Sequence, residues 1–307
     1  MSRDLADSPV SGPPAVGRRL LVIRNPVAGR RHGGRFARIM GHLWSLGCKV
    51  TVIETRFRGD AEAIAAEIDP DTVDVVVAAG GDGTINEVIN GLKGRDIPLA
   101  IVPLGTANVL AAEIGLPLRA SSIAKTIARA PARRVYLGDA NGRRFVMMAG
   151  VGFDAWVVAT LNPAWKRVLG RTAYVARMVV GLARYRFPKY RVTIDGQAYK
   201  AASVVIANGH YYGGRFTCAP DARLDDPDLK VCLFRRGGPL AAVVYALWLG
   251  LGRLHKRKDV MLVPGRSVRV EGPDAEPVQG DGDLVASLPL TAGLDGDGLL
   301  LVMPAHQ

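Results

Sequence analysis

The run Val75-Val-Val-Ala-Ala-Gly-Gly-Asp-Gly-Thr84, continued by Ile85-Asn-Glu-Val-Ile89, decides the fold class. Its apolar first half suits a parallel strand covered on both faces. Gly80, Gly81 and Gly83 then permit backbone angles and close approaches that a Cβ blocks, so amide N–H groups can face an anion. Thr84 and Glu87 have capping-box spacing, which predicts a helix starting here, its unpaired N–H groups and dipole adding to the attraction for phosphate. Gly-Gly-Asp-Gly also serves as an ordinary strand-to-helix connection, with Glu87 acting as a cap and nothing more.

Working outward, residues 20–24 read as a strand, 25–34 as a loop, 36–46 as a helix, 49–55 as a strand and about 61–68 as a helix. A further strand over 99–102 leads through Pro103-Leu-Gly-Thr106 into a helix that reaches residue 114. Such alternation implies a doubly wound parallel sheet with right-handed crossovers and a ligand outside the carboxyl ends of the strands. After about Tyr136 short strand candidates take over, at 145–149, 190–194, 202–208, 229–234, 260–263, 267–271 and 284–288, separated by Gly, Pro, Asp and Asn turns. This pattern predicts a mainly antiparallel β-rich domain, interrupted by a long, basic, partly helical stretch over 156–187. The expected organisation is a disordered tail over 1–17, an α/β domain over 18–136 and a β-rich domain over 137–307, with about 290–307 able to return to the first.

The chain has 307 residues, 49% of them hydrophobic, enough for two domains with real cores. Cys48, Cys218 and Cys232 are too few and too scattered for a disulfide framework or a zinc pattern, which points to a reducing compartment. Residues 1–17 lack the basic start and apolar stretch of a signal peptide. The apolar run 240–251 is shorter than the roughly 20 residues that a membrane span requires, so a soluble or peripheral protein is expected. The net charge of +12 predicts attraction to nucleic acid, anionic lipid or phosphorylated small molecules. Much of it is concentrated between Arg133 and Arg191, where twelve Lys and Arg face Asp139 and Asp154.

Four elements follow in order: Asn25-Pro-Val-Ala-Gly29, Gly80-Gly-Asp-Gly-Thr84 with Asn86 and Glu87, Pro103-Leu-Gly-Thr-Ala-Asn108, and Gly150-Val-Gly-Phe-Asp154. With Gln279-Gly-Asp-Gly-Asp283 they resemble the diacylglycerol kinase catalytic-domain family of lipid kinases in its compact bacterial form, from Arg19 nearly to the end. The resemblance implies an N-terminal domain similar to those of NAD kinases and 6-phosphofructokinases, and ATP-dependent phosphorylation of a lipid hydroxyl with Mg²⁺. It implies nucleotide contacts from Asn25, Pro26, Val27, Ala28, Gly29, Thr55, Gly80, Gly81, Asp82, Gly83, Thr84, Ile85, Asn86, Glu87 and Thr106. Asp82 would then be available to a phosphate-bound Mg²⁺. Read alone, Thr106 is as well explained as a helix cap, and Asn25-Pro26 as a turn.

The family's Asp-Gly-Glu motif matches Asp281-Gly282-Asp283, which makes Asp281 the candidate general base, although Asp-Gly between short strands also reads as a hairpin turn. A segment similar to the family's structural Mg²⁺ loop is Pro220-Asp-Ala-Arg-Leu-Asp-Asp-Pro-Asp-Leu229, where the match assigns a carboxylate to Asp226 and carbonyls to Arg223 and Asp228. A plain acidic turn explains the same residues. Tyr136, Pro227 and Asp283 depart from the family pattern, and all three departures bear on the metal network.

The resemblance implies a lipid substrate, ATP and an anionic membrane surface as partners, with the protein cytoplasmic and peripheral to the inner face of the membrane. The basic segment with Trp156, Trp165, Tyr174, Tyr185 and Phe187 is the first candidate for docking, against a reading as a solvated basic face with core aromatics. Residues 240–251 followed by Arg253-Leu-His-Lys-Arg-Lys258 are the second, against a core helix with a charged end. No nucleic acid is expected, since finger, zipper and RNP-like patterns are absent. Alternatives are a small-molecule kinase of the NAD kinase type and a non-catalytic sensor of anionic lipid on a kinase scaffold. The acceptor lipid and the oligomeric state are left open.

Overall fold

In a computed structural model, residues 17–29, 34–160 and 171–304 are described, without the side chains of 171–176. The tail over 1–16, Trp165 and the side chain of Tyr174 lie outside the described residues. Two compact units emerge, one of residues 1–135 and 297–307 and one of residues 136–296.

The first unit runs β1 (Arg19–Arg24), α1 (Arg35–Ser45), β2 (Lys49–Glu54), α2 (Asp60–Ala66), β3 (Val75–Gly80), α3 (Asp82–Gly91), β4 (Leu99–Pro103), α4 (Val109–Glu113), α5 (Ala120–Arg129) and β5 (Ala132–Val135). The sheet order is β2-β1-β3-β4, then the chain's last strand Leu299–Val302, then β5. All pairs are parallel except the last strand with β5. β3 and β4 are buried at every residue, which is why their sequences are unbroken apolar runs. The amphipathic α1 buries Ile39, Met40 and Leu43 and packs against α5, while α2 packs against α3. Gly91 permits the second contact, because a Cβ there would stand 2.3 Å from the Glu62 carbonyl oxygen.

This strand order reverses between β1 and β3. The chain leaves β1 toward β2, then crosses back over β1 to β3 and continues to β4. Such a reversal opens a crevice at the carboxyl ends of the two strands. The loops that leave those ends are Asn25–Gly29 and Gly80–Gly81.

The second unit is an antiparallel sandwich. In chain order it contains β6 (Gly138–Ala140), β7 (Arg143–Phe145), β8 (Met148–Val151), α6 (Phe153–Thr160), α7 (Arg171–Arg184), β9 (Tyr190–Ile194), β10 (Gln197–Ala201), β11 (Ser203–Ala207), β12 (Tyr211–Tyr212) and β13 (Phe216–Thr217). There follow β14 (Leu229–Phe234), α8 (Pro239–Gly250), β15 (Val260–Gly265), β16 (Ser267–Glu271), β17 (Pro277–Gly280), β18 (Asp283–Ser287) and β19 (Leu290–Leu294). One sheet has the order β10-β9-β16-β19-β6-β7 and the other β15-β14-β11-β8-β17-β18. Their inner faces share one core built on Val, Ile and Leu with Phe145 and Tyr190. Arg144 and Asp295 form a buried bidentate ion pair in this unit, at 2.7 and 2.8 Å, with side-chain exposures of 1% and 4%.

The fold is therefore the expected parallel α/β domain followed by an antiparallel β-rich one. The single strand predicted over 145–149 is instead two, β7 and β8. The N–H groups of Val146, Met147 and Met148 turn to the Asp281 carboxylate, and the ladder breaks there.

Candidate active site

The first unit gathers its glycine loops at one end of the sheet. Asn25 begins an Asx turn, its side-chain oxygen accepting the Val27 N–H at 3.0 Å while its amide donates to the Thr84 hydroxyl at 3.1 Å. The β1 loop is thereby tied to the first turn of α3. Gly80 lies against Thr84, where a Cβ would come within 2.5 Å of the threonine side chain. Gly81 and Gly105 meet backbone to backbone, and a Cβ on Gly105 would stand 2.7 Å from the Gly81 Cα. Only glycine permits that approach, so the β3 and β4 loops close into one surface.

α3 begins at Asp82 rather than at Thr84. Gly81 is its N-cap, and no side chain caps it. The expected capping box of Thr84 and Glu87 is absent, because the helix starts two residues earlier. Asp82 accepts the Asn108 and Val109 N–H groups at 2.9 and 2.7 Å, which closes the start of α4. Glu87 faces the start of α2, where the Gly59 and Ala61 N–H groups favour its charged form. Burial pushes both carboxyls up, opposed by those same N–H donors. The first turn of α3 thus begins without an N-cap side chain, which leaves N–H groups that suit an anion.

Other predicted residues surround this turn. Thr55 is buried just past β2, and its N–H donates to the Arg24 carbonyl. Asn86 is buried and accepts from Asn90, while Ile85 is core. Val27 is exposed, as is Thr106, which does not cap α4, since Asn108 occupies the N-cap position. Gly105 and Asn108 take structural parts that were not assigned to them in the sequence. An Asn before an apolar helical run, after a Gly, was the available signal, and Asn108 does adopt positive φ.

In the second unit, Asp281-Gly282 forms the two-residue turn of the β17–β18 hairpin, with φ of 52° and 85°. This is the hairpin reading of Asp-Gly, and it holds together with a specialised environment. The Asp281 carboxylate accepts three consecutive backbone N–H groups, from Val146 at 2.6 Å, Met147 at 2.9 Å and Met148 at 3.1 Å. Behind the turn, Gln279 accepts the Gly282 N–H and donates to Asp154, which also accepts the Tyr212 hydroxyl. Burial raises the Asp154 carboxyl above the usual range. Its second oxygen is buried with no partner among the described residues.

Both halves of this arrangement have counterparts among known proteins. Residues 19–140 match the profile of the diacylglycerol kinase catalytic domain, and residues 147–304 match the YegS C-terminal NAD kinase beta sandwich-like domain. The chain belongs to the bacterial diacylglycerol kinase and YegS-like lipid kinase family. It is 27% identical over 279 residues to the diacylglycerol kinase of Bacillus subtilis, covering 89% of this chain and 92% of that one. It is 35% identical over 221 residues to a "probable lipid kinase YegS-like" protein of Pseudomonas aeruginosa, covering 69% and 67%. Its structure is similar to that of a diacylglycerol kinase from Bacillus anthracis, with a TM-score of 0.74, 26% identity and coverage of 94% and 98%.

The predicted metal segment of this lipid kinase carries its own counter-charges. Arg223, Asp226 and Asp228 share one turn, in which the Arg223 carbonyl accepts the Asp226 N–H. One Asp226 oxygen accepts the Asp228 N–H at 2.9 Å, and the other pairs with the Lys230 ammonium at 2.8 Å. Asp228 pairs with Arg266 at 2.7 Å. A cation already stands at the carboxylate that the metal would need, so this donor set does not fit Mg²⁺. Among the described residues no group of three His, Cys, Asp or Glu side chains is arranged to hold a metal ion.

In the basic segment the described aromatics lie together. Trp156, Tyr185 and Phe187 form a ring cluster with Phe153, with centroids 5.0 to 5.8 Å apart, and Tyr185 is buried. Trp156 and Phe187 are half-buried. Among the described residues no helix is long and apolar enough to cross a membrane.

Proposed function

We propose that this lipid kinase transfers the γ-phosphoryl group of ATP to a hydroxyl of diacylglycerol or a related lipid alcohol, with Asp281 as general base. The hydroxyl oxygen attacks the γ-phosphorus, the bond to the β-phosphate oxygen breaks, ADP leaves, and the hydroxyl proton passes to the carboxylate. The observation that carries the nucleotide half is the uncapped first turn of α3 at the strand-order reversal, held against the Asn25 loop by the Asn25–Thr84 hydrogen bond. Its N–H groups and dipole attract phosphate. Gly80, Gly81 and Gly83 leave room for phosphate oxygens at the backbone, with Thr84, Thr106 and the Asn25–Gly29 loop around them.

Support for Asp281 is the fixed position of its carboxylate. Three N–H donors and the Gln279–Asp154 layer define it, and an immobile acceptor is what general-base catalysis requires. In this chemistry Mg²⁺ neutralises phosphate charge. The Asp82 oxygens each hold a backbone N–H of the α4 start, and the 220–229 turn is closed by Lys230, so no step passes through a protein-held metal. Since the acceptor lives in a bilayer and ATP in the cytoplasm, the enzyme works peripherally at the inner membrane face.

The test is phosphate transfer from ATP with Mg²⁺ to diacylglycerol, phosphatidylglycerol, a sphingoid base and NAD. The expected result is a phosphorylated lipid, with turnover in Asp281→Asn lower by about 10²- to 10⁴-fold. Phosphorylation of NAD with none of any lipid overturns the proposal.

A further inference from the structure

α8 has a composition that its surroundings do not absorb. Pro239–Gly250 contains no charged residue, and Tyr245 is the one residue of the helix that is fully buried. A helix apolar on all sides is ordinarily enclosed. Here one side packs on the second unit's minor core through Ala241, Tyr245, Trp248 and Leu249. The other side presents Leu240, Val243, Leu247 and Leu251, exposed by 79%, 39%, 62% and 69%. Their spacing of three, four and four residues makes one stripe about 16 Å long. Its neighbours extend it, for β13 and α7 both pack against α8 and carry exposed Phe216, Val179 and Val180.

The charge around the stripe is predominantly positive. From Leu229 to Lys258 there are seven Lys and Arg and no Asp or Glu. Arg235, Arg236, Lys256, Arg257 and Lys258 line a depression beside Trp248, with Asp259, paired to Arg236 and Arg257, its one acidic residue. Arg257 pairs with Asp259 and lies over the Tyr245 and Trp248 rings, which fixes the basic segment to the helix. Cations after a helix also complement its dipole, but Arg235 and Arg236 precede this one.

We propose that α8 and the 253–258 segment form the face on which the protein lies on an anionic bilayer, a proposal that rests on the lipid-kinase reading. Leu240, Val243, Leu247 and Leu251 enter the boundary between headgroups and acyl chains. Arg235, Arg236, Arg253, Lys256 and Lys258 meet lipid phosphates. A helix of this length lies in the interface plane rather than spanning it. A second copy of the chain is a poorer occupant, because a two-fold contact would set these cations against their own equivalents.

The test is flotation with vesicles of phosphatidylcholine, with and without phosphatidylglycerol, in the absence of ATP. Wild-type protein is compared with Leu247→Gln/Leu251→Gln and with Arg253→Ser/Lys256→Ser/Lys258→Ser, after melting curves confirm that both variants are folded. The expected result is that the wild type floats only with the anionic vesicles and that each variant partitions about tenfold or more weakly. Both variants should also lose turnover on vesicle-borne diacylglycerol while keeping it on a short-chain, monomeric one. Equal flotation of wild type and both variants, or equal flotation with neutral vesicles, overturns the proposal. A change from dimer to monomer in Leu247→Gln/Leu251→Gln with unchanged flotation overturns it in favour of self-association. Flotation decides the matter even if no lipid is phosphorylated, a result that would reject the kinase reading alone.

Discussion

Asp281→Asn separates the carboxylate from the turn that carries it. Asn-Gly is the preferred pair for a two-residue hairpin turn with positive φ at both positions, so the backbone at 52° and 85° suits the variant at least as well. The change falls on the three N–H groups. One Asp281 oxygen accepts Met147 and Met148, a role an amide oxygen can keep, although without the negative charge. The other accepts Val146 at 2.6 Å, and an amide NH₂ in its place sets donor against donor. Val146 is 3% exposed, so water does not replace the lost partner. One charge-assisted bond lost and one buried donor stranded amount to about 2–4 kcal/mol. For a unit of this size that corresponds to a fall in melting temperature of about 5–15 °C. Thermal unfolding followed by calorimetry measures it. A variant melting with the wild type, or above it, would show that the three N–H contacts contribute nothing net and would remove the structural argument for a fixed Asp281. Turnover must therefore be measured well below the variant's transition.

Asp295→Ala removes the bidentate partner of the buried Arg144 guanidinium and should cost about 3–5 kcal/mol, whereas Arg144→Met/Asp295→Leu should cost far less; equal losses in denaturant unfolding would refute the distinction. Asp154 holds its proton more tightly folded than unfolded, so the stability it contributes is fully present below its unfolded pKa and is lost as pH rises through its folded one. Asp154→Asn keeps an acceptor for Gln279 and Tyr212 without that titration, and its melting temperature should gain on the wild type as pH is raised; a gap that does not change with pH refutes the burial argument. With Lys230 paired to Asp226, chelators and added Mg²⁺ should leave the nucleotide-free melting temperature unchanged; a rise that depends on Mg²⁺ and disappears in Asp226→Ala would restore a metal at that turn.

The sequence alone determined the layer structure and the anion-seeking loop. An unbroken buried run such as 75–80 requires cover on both faces, and alternation with helical patterns then leaves a parallel sheet as the economical solution. Local chemistry along the chain carries that information. Partner choice does not, and several side chains found partners far away in sequence. Thr84 and Glu87 have the spacing of a capping box, yet Glu87 faces the start of α2 and Asp82 closes α4. Asp226 looks like a metal ligand until Lys230 is seen against it, and Tyr185 like an interfacial anchor until its ring is seen among others. Only the tertiary structure decided which two strands flank the reversal, which donors hold Asp281, and that one side of the uncharged 239–250 helix faces outward. Those outcomes depend on which surfaces meet across long chain separations, and residue spacing along a single element does not encode that.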